Sequence, residues 1–163
     1  MPSIAIIDST SLIESFDLWN LPLEGVIVPQ RPRALSLLAK DLTTPTSGNT
    51  APIPGLALAT SLAVTARLNY GSGGTTVQAW VQTSLDGGRT WCDIMSFAFT
   101  TVAATKISLV HLATALAAAV TPTNGTLADN TILNGLLGDQ LRVRFSTTGT
   151  YVSTQLLLDA VLH

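Results

Sequence analysis

A chain of 163 residues with 8 Lys and Arg against 10 Asp and Glu has a net charge of −2, which gives it no basic footprint for nucleic acid. Charged residues make up only 11% and hydrophobic ones 47%, where a soluble domain ordinarily carries about 25% charge, so much of the outside is expected to lie against another protein. Lipid as the cover would take about 18 consecutive apolar residues in a helix. The longest candidate, Ile107 to Val120, is shorter and is interrupted by Ser108, His111 and Thr114, so no membrane span is predicted.

The length suits one domain with an appended arm. Ser3 to Ile7 reads as a short strand, and Phe16, Leu18, Trp19 and Leu21 form an apolar cluster ended by Pro22. Asp8 breaks the first apolar stretch and no basic run precedes it, so no secretory leader is expected. Val26 to Val28 is closed by Pro29 and Pro32, and Ala34 to Lys40 fits a strand or a short helix. Thr43 to Gly55 carries Pro45, Pro52 and Pro54; prolines fix φ and remove donors, which reads as an extended connector. Large apolar residues among repeated breakers make a poor core and a reasonable arm. The expected division is therefore an N-terminal arm over 1–55, with Phe16, Trp19 and Ile27 as its interface residues, and a β domain over 56–163. The alternative is that these pieces cover the open edge of their own domain.

From Leu56 onward the pattern has a period of two. Leu62, Val64, Ala66, Leu68 and Tyr70 alternate with Ala63, Thr65, Arg67 and Asn69, as in a half-buried strand. Gly71 to Gly74 turns the chain into Thr76, where Val77, Ala79 and Val81 alternate with Gln78, Trp80 and Gln82. Asp86-Gly87-Gly88 supplies a hairpin turn, and Trp91, Ile94, Phe97 and Phe99 carry the return strand. Lys106 to Leu112 is a further strand. Ala113 to Val120 is ambiguous, its alanines favouring helix and its flanks strand. Thr121 to Asn130 reads as loop. Leu141, Val143 and Phe145 mark a strand with one wet face, and Tyr151 to Leu162 ends in LLLDAVL, which looks buried on both sides. Short strands with Gly-rich turns and no βαβ rhythm predict an all-β fold, an antiparallel β-sandwich of jelly-roll-like order with an extended N-terminal arm.

The turn Ser84-Leu85-Asp86-Gly87-Gly88-Arg89-Thr90-Trp91 fits S-x-D-x-G-x-T-W and resembles the Asp-box of sialidases and related β-propellers. That resemblance implies a structural hairpin, in which Ser84 and Asp86 satisfy turn amides, Gly87 and Gly88 shape the turn and Trp91 packs beneath. No second copy occurs, and the chain is too short for several blades of about 40 residues each, so the turn geometry carries over and the enzyme does not.

Reactive constellations are sparse. His111 lies in an apolar strand and His163 is the last residue, whereas zinc takes three or four ligands. Cys92 is alone, which excludes an intrachain disulfide. Glu14 and Glu24 fall in the irregular N-terminal region, and Gly71 to Gly74 lacks the Lys-Ser/Thr ending of a phosphate loop. No enzyme, cofactor or metal is expected.

The phrase VQTSLDGGRTW, Val81 to Trp91, also resembles small virion proteins of tailed bacteriophages that decorate capsids or line the neck and tail. The resemblance implies a capsid decoration or cement protein that binds the major capsid protein or other virion proteins, and copies of itself, with neither nucleic acid nor membrane as partner. Its place would be the virion, assembled in the host cytoplasm. Two alternatives stay open: a tail-tube or head–tail connector component, and a carbohydrate-binding β-sandwich module in which Trp80, with Tyr70 or Tyr151, stacks on sugars.

Overall fold

The computed structural model describes residues 32–163, and every regular element among them is a strand. In chain order these are β1 (Arg33–Leu42), β2 (Thr46–Asn49), β3 (Ile53–Pro54), β4 (Ser61–Asn69), β5 (Ser72–Gly73), β6 (Thr76–Ser84), β7 (Cys92–Phe99), β8 (Ala104–His111), β9 (Gln140–Thr148), β10 (Tyr151–Val152) and β11 (Thr154–Leu162). One sheet has the order β1-β11-β4-β8. The other runs β2-β9-β6-β7, with β3 also on β9, and β5 and β10 form a small ribbon. Every pairing is antiparallel. The described residues are thus all-β with antiparallel sheets.

Alternation places the core. Leu62, Val64, Ala66 and Leu68 of β4 and Leu156, Leu158, Ala160 and Leu162 of β11 point inward from the first sheet. Val77, Ala79 and Val81 of β6, Phe97 and Phe99 of β7 and Leu141, Val143 and Phe145 of β9 do so from the second. Both sets belong to one hydrophobic cluster.

Residues 33 to 54 correct the expected boundary at residue 55. β1 pairs with β11 along its length, Arg33 opposite Leu162 and Leu42 opposite Thr154, and it buries Leu37, Leu38 and Leu42. The proline-bearing stretch lies along β9, where Thr50 N donates to Val143 O and Val143 N donates to Thr50 Oγ1. Pro52 and Pro54 are tolerated because an edge strand has a side that needs no donor. Phe16, Trp19 and Ile27, with the strand expected at Ser3 to Ile7, lie outside the described residues.

Ala113 to Val120 is neither helix nor strand; it opens a long loop joining β8 to β9. Nearly all of it is exposed, and an alanine run this short does not hold a helix without a face to pack. The loop then docks on the β7 edge: Asp93 N donates to Thr123 O, Ser96 N to Thr131 O and Leu133 N to Ile94 O. Beyond that edge it lies over the outer face of the second sheet. Among the described residues, none lies over the outer face of the first sheet in this way. β11 is central there, as LLLDAVL suggested, yet Val161 is 37% exposed and Asp159 is also exposed, so only one of its faces is buried.

Candidate functional site

The hairpin between β6 and β7 is built by its own side chains. Ser84 Oγ donates to Asp86 Oδ1 at 2.9 Å and accepts from Gly88 N at 2.8 Å. Asp86 Oδ1 also accepts from Thr90 N at 2.8 Å. Gly87 and Gly88 take φ of 69° and 88°, the left-handed region that glycine enters at no steric cost. Trp91 packs below, its Nε1 donating to Gly88 O at 2.9 Å. The backbone N–H of Thr90, then its hydroxyl, hold the Asp86 carboxyl down at about 2, from an ordinary 3.8. Asp86 is solvent-exposed and every bond it makes is local, so its role is to shape the turn.

A folded-state value below the ordinary one means these bonds stabilise the fold above about pH 4 and are lost as pH falls through about 2. Asp86→Ala should therefore melt below the parent at pH 7, with the gap closing between pH 4 and pH 2. A gap that is the same at pH 2 as at pH 7 would refute the capping role.

A second cluster lies on the outer face of the second sheet, beneath the loop. Asp93 is fully buried. Its carboxylate accepts from Gly125 N at 2.9 and 2.8 Å, from Thr126 N at 3.0 Å, from Leu127 N at 3.2 Å and from Gln82 Nε2 at 2.6 Å. Gln82 Oε1 accepts from Arg142 Nε at 2.7 Å, and Asn124 Oδ1 accepts from Gln82 Nε2 at 3.0 Å. The Arg142 guanidinium stacks 4.2 Å from the Trp91 ring. Burial, followed by repulsion from Arg144, pushes the Arg142 value down, while Asp93 opposes both. Successive backbone N–H groups around one carboxylate form an anion nest, here filled by the chain's own Asp93. With its oxygens thus engaged, the cluster acts as a clasp for the loop.

Trp80 belongs to the same face and lies under the same loop, 5% exposed, with Nε1 donating to Leu127 O at 3.1 Å. It is no stacking platform for a sugar. Tyr151 is buried, its hydroxyl donating to Thr76 O at 2.7 Å. Gly74 leaves the space its ring fills: a Cβ there would lie 1.9 Å from the ring. Trp80→Ala should cost about 3 kcal/mol, the low end for a buried tryptophan because the covering loop can settle. Glycan-array binding should be no different from the parent's. Near-parental stability with loss of a glycan signal would restore the sugar reading.

The remaining candidates stay apart. Cys92 is buried, which raises its thiol above the ordinary range, with Asp93 adding to the rise; such a thiol is a poor nucleophile. His111 is exposed at the end of β8. Among the described residues no three His, Cys, Asp or Glu side chains gather as metal ligands. A groove of about 310 Å³ is lined by Thr76, Gln78, Phe99, Lys106, Asp129 and Asn130. Its polar groups are engaged with each other: Lys106 Nζ donates to Ala98 O at 2.5 Å and Asn130 Oδ1 at 2.6 Å, and Gln78 Nε2 to Asp129 Oδ1 at 2.8 Å. Comparisons with protein-family models, with curated proteins and with solved structures found no match.

Proposed function

We propose that the chain is a non-enzymatic structural protein of a tailed-phage virion, a capsid decoration protein built on a jelly-roll sandwich. Strand order supports the finer fold reading. With β2 and β3 counted as one position, the long strands run first-eighth-third-sixth in one sheet and second-seventh-fourth-fifth in the other, the order of two interlocked Greek keys. The resemblance carried by Val81 to Trp91 supports the virion reading.

The observation that carries an assembly role is the open sheet face. Ile107 is 73% exposed, Leu109 40% and Val161 37%, and a clustered apolar surface of this kind marks a protein contact. In this reading residues 1 to 31 supply the arm, with Phe16, Trp19 and Ile27 meeting the shell or a neighbouring copy. The buried position of Trp80 removes the support for sugar binding.

Immunogold labelling of purified virus particles from the host that carries this sequence tests the proposal. Regular labelling over the shell is the expected result. Label confined to the neck or tail would move the protein to a connector or tube role, and particles without label would overturn the virion reading.

A further inference from the structure

The geometry points to the outer face of the β1-β11-β4-β8 sheet as a self-association surface, on which a second copy of this chain packs face to face about a two-fold axis. Cross-strand register assembles the face row by row. Ala34, Val161, Ala63 and Leu109 stand side by side across the four strands. The next row is Ser36, Asp159, Thr65 and Ile107, and the one after it Ala39, Leu157, Arg67 and Thr105. Small and apolar side chains thus fill most of a surface with its most exposed apolar groups, Ile107 and Leu109, on the edge strand β8.

The two charges in these rows single out a second copy as the occupant. Asp159 and Arg67 lie on the neighbouring central strands β11 and β4, one register step apart, and both are exposed. Such diagonal neighbours are about 7 Å apart. A two-fold axis lying between the facing sheets and crossing that diagonal sets each Asp159 over the partner's Arg67, twice by symmetry. Isologous contacts require this self-complementarity. A partner of one charge sign would meet one of the two groups unfavourably.

Area is sufficient. Four strands about 4.8 Å apart and about nine residues long at about 3.3 Å per residue cover about 550 Å² per copy, or about 1,100 Å² for the pair. That clears the roughly 1,000 Å² of a specific interface. The opposite sheet needs no such cover, since the chain's own loop lies over it.

This inference rests on the assembly reading above, for which it supplies the contact between copies. Light scattering coupled to size-exclusion chromatography on the full-length chain should give twice the 17.0 kDa chain mass. Arg67→Asp alone and Asp159→Arg alone should each weaken the dimer about tenfold or more, and the double exchange should restore it. Ile107→Glu with Val161→Lys should give a monomer that melts like the parent. A monomer at every concentration, or an oligomer indifferent to all these substitutions, would overturn the proposal. A monomer that still labels virus particles would overturn it while leaving the virion reading intact.

Discussion

Removing residues 1 to 55, the whole of the segment that composition marks as an arm, should leave a chain that does not fold. The cut takes away β1 and with it the buried Leu37, Leu38 and Leu42. At about 1.5 to 3 kcal/mol for each buried leucine, the loss is roughly 5 to 9 kcal/mol. The total stability of a domain is about 5 to 15 kcal/mol. It also bares the β1 side of β11 and the β9 edge that β2 and β3 cover. Circular dichroism and amide dispersion in NMR would report the result. A cooperative melt near that of the full chain would mean that residues 33 to 54 are dispensable.

Asp93→Ala should be the most damaging single polar substitution. It leaves the N–H groups of Gly125, Thr126 and Leu127 without their acceptor and takes from the Gln82 amide one of its two. Each buried donor left unsatisfied costs about 1 to 3 kcal/mol, so the expected loss is on the order of 5 kcal/mol. In melting temperature that is a fall of about 15 °C for a domain of this size. Asp93→Asn should fall less, because one acceptor oxygen remains. Hydrogen exchange gives a local readout, with the amides of residues 125 to 127 protected in the parent and exchanging fast in Asp93→Ala. A melting temperature within about 2 °C of the parent would mean that the loop is held by something else.

What could be read from the sequence was local. The strands β4, β6 and β9 follow from side-chain alternation, β11 follows from its apolar run, and the turn between β6 and β7 follows from its Ser, Asp and glycines. Each of these signals lies within about ten residues. The pairing of β1 with β11 is different in kind, because it joins Arg33 to Leu162 and neither end announces the other. Prolines at 45, 52 and 54 read as a connector because their missing donors argue against a central strand; they argue nothing against an edge. The outward side of Trp80 was legible from its alternation with Val81, whereas its cover was not. That cover depends on Asp93 meeting a loop some thirty residues further on. Asp93 stands two residues after Trp91 with no motif around it, and only its register opposite Gln82 places it under the loop.

The position of β11 bears on how the protein is made. It comes last among the described strands but sits between β1 and β4 in its sheet. While a ribosome is still adding residues after β4, the two flanking strands have emerged without the one that joins them. At about 5 to 20 residues per second that interval is on the order of 10 s. Throughout it, β1 and β4 present unpaired N–H and C=O rows that neighbouring nascent chains can capture. The first sheet closes only when Thr154 to Leu162 arrives, so its closure waits for the last made of its four strands. A ribosome that stops short of Thr154 leaves a sheet missing its middle, a far worse product than one missing an edge.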